Sequence, residues 1–222
     1  MKIRLTWGLV AALATGLSAC SAAEDPLPDD STGCSETLVL PVGTHEIGPA
    51  DVLTADQLFD RNNIAHNAFR YVRYSRDSTQ TQFPPYAKFN DQLVSVVQYT
   101  NGLPIFTGNI NFIFKNGVFS YRAGNLTAGT SLNTAPALRV GQVRGLFLAT
   151  IAQFDPMKNA LREQCVSATL GYYNLNASSS NSTENLVKAW KVKTKNSAYP
   201  FAYYQDNGGA LIYYDNGIRT FR

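Results

Sequence analysis

Apolar positions recur along the chain in two rhythms. Over residues 55–64 (A-D-Q-L-F-D-R-N-N-I), Leu58, Phe59 and Ile64 line one side of a short helix. Thr54, with Gln57 three residues later, has the spacing of a capping box at its start. From residue 69 the rhythm shortens. Residues 69–75 (F-R-Y-V-R-Y-S), 86–90, 93–100 (L-V-S-V-V-Q-Y-T) and 110–114 (I-N-F-I-F) are rich in aromatic and branched side chains and predict strands. Asn116-Gly117 separates the last of these from V-F-S-Y-R at 118–122. Asn-Gly is a strong hairpin signal, because both central positions of a type I′ turn need positive φ. Residues 38–42 add a short apolar segment that reads as a further strand.

A Gly/Thr/Ser/Asn-rich break at 124–134, followed by Pro136, marks a unit boundary. Beyond it Val140, Val143, Leu146, Phe147, Ile151 and Phe154 recur at helical spacing over 139–154, and Pro156 discourages extension. Strands are then predicted at 165–175, 186–194, 200–206 and 210–214, the last two around the turn Asn207-Gly208-Gly209. In 186–194 (L-V-K-A-W-K-V-K-T) the alternation is clear, but the side that holds Trp190 is left open. Helix-then-strands thus occurs twice, a layout that places one helix on an antiparallel sheet in each unit. Tyr172-Tyr173, Tyr203-Tyr204 and Tyr213-Tyr214 fall on these strands. Adjacent strand residues face opposite ways, so each pair sends one ring inward and one outward; an outward row either covers a second layer or an edge, the commoner use, or binds a partner.

The ends change the picture. Lys2 and Arg4 precede an apolar run at 5–19 that is too short to span a bilayer and reads as a signal peptide over residues 1–19. The run closes on Leu17-Ser18-Ala19-Cys20, which resembles the lipobox of bacterial lipoproteins. That resemblance implies a lipidated Cys20 and a bacterial cell-envelope location, anchored to a membrane by lipid and outside the cytoplasm; an ordinary signal cut near Ala19 or Ala22 is the alternative. Residues 20–34, small, acidic and proline-containing, read as the lipidated cysteine and a flexible tether.

Composition is that of a globular protein: 45% hydrophobic, 12% aromatic and only 16% charged residues. Without Lys2 and Arg4, 17 basic residues face 16 acidic ones and form no basic cluster, which argues against nucleic acid as a partner. Of three cysteines, Cys34 and Cys165 remain as an even pair in an oxidising compartment and suggest a disulfide; two separate buried thiols are the alternative. His45 and His66 are the only histidines. Both read as surface or helix-cap residues, and no spacing supports a metal site, a nucleophile elbow or a phosphate loop. No catalytic residue, cofactor or metal is implied, and the expectation is that the chain is not an enzyme.

The text V-S-V-V-Q-Y-T-N-G-L-P-I-F-T-G-N-I-N-F-I-F at 94–114 resembles the FTP prosegment of thermolysin- and fungalysin-type metalloproteases, with Gln98, Tyr99, Asn101, Gly102, Pro104, Phe106 and Gly108 in the motif positions. The second half is similar to the PepSY module of the same prosegments, through the helix at 139–154, Ala189-Trp190-Lys191-Val192 and Tyr203-Tyr204-Gln205-Asp206 before the glycine turn. Ala210 stands where that family carries an acidic residue. The resemblance implies an α+β fold of two cystatin-like (PepSY-like) units, an FTP-like unit at 35–135 and a PepSY-like unit at 136–222. No H-E-x-x-H motif accompanies them. It further implies a non-catalytic lipoprotein that binds, and inhibits or chaperones, a protease or another envelope protein. The alternative is a surface lipoprotein that binds a glycan or peptide through exposed aromatics, including Trp190. Pro104 is expected at an edge, a bulge or a strand start, with Asn101-Gly102 bending or breaking the strand before it; a simple turn between two ordinary strands is the alternative.

Overall fold

The computed structural model describes residues 27–86, 88–155, 165–177 and 183–218. The apolar run at 5–19 and Cys20 lie outside them. The described chain is α+β, two helices on a mostly antiparallel sheet of nine strands. The elements run β1 (Ser35–Thr37), α1 (Pro49–Arg61), β2 (Phe69–Gln80), β3 (Lys88–Thr100), β4 (Leu103–Lys115), β5 (Val118–Ala123), α2 (Val140–Phe154), β6 (Val166–Asn174), β7 (Leu186–Thr194), β8 (Phe201–Gln205) and β9 (Leu211–Asp215). The sheet order is β2-β3-β4-β6-β7-β8-β9, with β5 on β4 and β1 parallel to β6.

Two cores share this sheet. In the first, Ala55, Leu58 and Phe59 of α1 pack on Phe69, Tyr71, Val94, Val96, Phe112 and Phe114. The Phe59 ring meets Phe112 edge-on at 4.9 Å, a favoured aromatic geometry. In the second, Val143, Phe147 and Ile151 of α2 pack on Ala168, Trp190, Val192, Ala202 and Tyr204. Trp190 thus faces the helix. The halves meet where β4 pairs with β6 in parallel, Ile105 opposite Tyr172.

The first helix begins six residues before the predicted start. Gly48 is its N-cap and Pro49 opens the first turn, where a missing N–H costs nothing and φ is preset. Thr54 lies inside the helix, its hydroxyl donating to the Ala50 carbonyl at 2.9 Å, so no capping box forms there. Asn62 ends the helix and ties it to the β4–β5 turn. Its amide donates to the carbonyls of Leu58 (2.7 Å) and Gly117 (3.0 Å), and its oxygen accepts from the Phe119 N–H (2.8 Å). The apolar segment at 38–42 forms no strand. The short strand lies just before it, in β1, where Ser35 to Thr37 pair with Val166 to Ala168.

Asn101-Gly102 is a full reversal and not a bend. Both residues have positive φ, 50° and 77°, and they join β3 to β4 as a tight hairpin. The β3–β4 register shifts just beyond the turn, where Ile105 to Gly108 of β4 stand against the single residue Gln98 of β3, and Pro104 sits second in β4. Asn116-Gly117, with φ of 52° and 77°, makes the β4–β5 hairpin as expected.

Cys34 and Cys165 form a disulfide with Cα atoms 4.5 Å apart, closing a sequence separation of 131 residues beside the β1–β6 pairing. Residues 27–33, read from sequence as tether, lie against α2. Leu27 joins the second core, and the Asp30 N–H donates to the Gly141 carbonyl at 2.9 Å. Asp29 pairs with Arg139 at 2.6 Å and Asp30 with the buried Arg144. Gly141 and Gly145 make the approach possible, since a Cβ at either would lie 2.5 Å from Asp29 or Pro28 atoms.

Candidate binding face

Alternation on β6–β9 sends one set of side chains to α2 and the other to the opposite face. Tyr172 and Tyr204 are buried and Tyr214 packs on the second core, while Tyr173, Tyr203 and Tyr213 point away, so the three tyrosine pairs split as expected. The outward rings form a continuous row. Tyr203 lies 5.1 Å from Tyr173, 5.2 Å from Phe106 and 5.8 Å from Phe201, and Phe201 is 6.0 Å from Tyr213. Phe106 reaches this face from β4 because Gly171 has no side chain. A Cβ there would meet the Phe106 ring at 2.7 Å and the Pro104 carbonyl at 2.5 Å. The rings shield one another, and burial raises the phenol pKa values of Tyr173 and Tyr203.

Lys191 stands in the row Thr169–Lys191–Tyr203–Tyr213, with its ammonium 5.4 Å from the Phe201 ring centre and 5.8 Å from that of Tyr203. Burial lowers its pKa and the neighbouring Lys193 adds to this; the Glu46 carboxylate acts in the opposite direction. A groove of about 350 Å³ opens beside it, at the junction of the two halves. Arg70 lines the far wall. It is tied to Glu46 at 2.9 Å and donates to the Thr44 carbonyl. Tyr99 is buried below it. Burial raises the pKa of its hydroxyl, partly countered by the adjoining guanidinium of Arg70.

The row is formed without Trp190, and only Tyr213 in it is exposed, the other four rings being half-buried. Trp190 is 2% exposed, and its indole N–H donates to Asp206 at 2.8 Å. Asp206 has no solvent exposure and also accepts from the backbone N–H groups of Ala137 (2.8 Å) and Leu138 (3.1 Å) and from Lys188 (3.1 Å). Burial alone would raise the pKa of this carboxyl, but the hydrogen bonds and Lys188 outweigh it and hold the value below the usual range.

The two histidines are not isolated surface residues. Both flank Tyr71, whose hydroxyl donates to Asp56 at 2.6 Å and lies 2.8 Å from His66 Nδ1, while His66 Nε2 lies 3.1 Å from Asp60. His45 stacks on the Tyr71 ring at 4.4 Å, and its Nδ1 accepts the Tyr71 backbone N–H at 3.0 Å. Burial lowers its pKa. An imidazole nitrogen here occupies a backbone-acceptor position on β2, and Glu46 N–H to the Tyr71 carbonyl completes the pairing. The arrangement clamps the 41–48 segment to the first sheet. Among the described residues no three His, Cys, Asp or Glu side chains converge as metal ligands. No protein-family model matches the chain, and no curated protein matches it.

Proposed function

We propose that this is a non-catalytic binding protein of the bacterial envelope, held to a membrane by lipid on Cys20, that docks a protease or another envelope protein on the outer face of β6–β9. The observation that carries this reading is the continuous aromatic row of Phe106, Tyr173, Tyr203, Phe201 and Tyr213 on the side of the sheet opposite α2. Aromatic rings are the side chains most enriched in the centres of protein interfaces. The resemblance to FTP and PepSY prosegments supports a protease as partner and inhibition or chaperoning as the effect. The two helix-on-sheet cores support a pair of cystatin-like units.

A second reading has an observation of its own. Rings beside a cation and a groove also suit a glycan or free peptide ligand. The test begins with the chain lacking residues 1–20, immobilised and exposed to envelope extract of the native host. A retained protease whose activity falls, and whose retention is lost in the Tyr203→Ala/Tyr213→Ala variant, supports docking on this face. Specific partners without any protease, or a protease with unchanged activity, overturn the inhibitory reading and favour the small-ligand one.

A further inference from the structure

On the docking-face reading above, we propose that the groove beside Lys191 receives an acidic segment in extended conformation. Two of its carboxylates, set two residues apart, sit on Lys191 and Lys193, and an apolar side chain rests on Tyr203 and Phe106. The argument starts from charge. Around the groove stand Arg70, Lys191, Lys193 and Lys195 against Glu36 and Glu46. Glu36 is held by Lys195 at 2.6 Å and by the Ser167 hydroxyl at 2.7 Å, and Glu46 is held by Arg70. Lys191 and Lys193 form no ion pair with a carboxylate among the described residues. A half-buried ammonium over two rings, next to a second ammonium, pays desolvation and repulsion together, which is why its proton is held less tightly. An incoming anion relieves both.

Geometry selects the kind of anion. Lys191 and Lys193 are alternate residues of one strand and face the same side, so their stems rise about 7 Å apart. Carboxylates at alternate positions of an extended peptide have the same spacing. The guanidinium in the groove already serves Glu46 and the Thr44 carbonyl, so a forked phosphate clamp is not on offer. The neighbouring ring faces of Tyr203 and Phe106 match an apolar side chain on the same face of the peptide, two residues beyond the acids.

The probe is acetyl-Glu-Thr-Glu-Thr-Leu-amide, in which both acids and the leucine share one face of the extended chain, with its glutamine counterpart and inorganic phosphate as comparisons, titrated calorimetrically into the full chain in detergent at low and physiological salt. The glutamate peptide should bind at least about tenfold tighter than the glutamine peptide, and more weakly as salt rises. Lys191→Met, which keeps the stem, and Lys193→Met should each lose about tenfold, and Lys195→Met should lose little. Side-chain NMR should show the Lys191 ammonium pKa rising when peptide is added. Equal binding of the two peptides, unchanged binding in Lys191→Met, or preference for phosphate would overturn the proposal. The two readings fail separately. A partner retained by wild type and lost in the tyrosine variant, with no binding of the glutamate peptide, leaves the docking face and removes the acidic ligand. Glutamate-peptide binding that depends on Lys191, with no protein partner retained, leaves the groove and removes the protein partner.

Discussion

The two helix-on-sheet halves bury similar faces and present different ones. The first closes its core with rings: Phe59 touches Phe69, Tyr71, Phe112 and Phe114. Its outer face carries polar rows such as Arg73–Ser95–Asn111, in which the Ser95 hydroxyl donates to Asn111 at 2.6 Å. The second buries rings too, Phe147, Trp190 and Tyr204, beside a buried carboxylate, Asp206, and sets a further row of rings on its outer face. Rings on an inner face serve stability. The outward rings stay partly exposed and contribute less per ring, so the second half leaves apolar area available to a partner. The comparison separates a supporting half from a presenting one.

The largest expected effect removes the bridge that closes the first half into a loop. Reducing the disulfide, or replacing Cys34 and Cys165 with serine, should lower unfolding free energy by on the order of 4–5 kcal/mol on the chain-entropy argument for so long a loop, read as a shift in urea midpoint. Next, Asp206→Asn leaves geometry nearly intact but strands Lys188 without its counter-charge. A loss of about 3 kcal/mol is expected, with near-ultraviolet circular dichroism of Trp190 reporting the second core. Asp206 stabilises the fold above its ordinary pKa of 3.8, and this is lost as pH falls through its lower folded value, so the variant should also be less acid-sensitive. Tyr203→Ala should cost only about 1–2 kcal/mol while abolishing partner retention; an equal loss in a matched polar-face variant, Asn111→Ala, would erase the distinction between the halves.

The smallest effect belongs to the clamp on the first sheet. His45 has its folded pKa below 6.5, because burial disfavours the charged ring and Arg70 repels it, with Asp56 acting in the opposite direction. The unfolded chain therefore binds the proton more readily. The contribution is whole above pH 6.5 and shrinks as pH falls below it. The melting temperature should drop between pH 7.5 and 5.5, and His45→Asn, which keeps an acceptor, should flatten that slope.

Local patterns carried the sheet well. The alternation in β7 and the Asn116-Gly117 turn act through neighbours in sequence, and the tyrosine pairs split as period two requires. What was not legible depends on distant partners. Asp206 receives N–H groups 68 and 69 residues away, and Lys191 is defined by carboxylates being engaged elsewhere. β2 runs on to Gln80 through Asp77, Ser78 and Thr79, which bury nothing and are held by backbone pairing to β3. The packed residues 27–33 did leave a trace, in two glycines four apart on α2, where a helix alone has no use for them.

The position of the disulfide also has a mechanical consequence. When the N-terminal segment is pulled against a ligand seated on β6–β9, residues 27–33 peel from α2 first; tension then reaches Cys34 and crosses directly to Cys165, at the head of β6. The entire first half hangs in a side loop and carries no load. Force then falls on β6 within its ladder, with β7 at its flank, and the protein can be tugged without unravelling α1 or the β2–β5 hairpins. Cutting the sulfur bridge would reroute the same pull through every residue between.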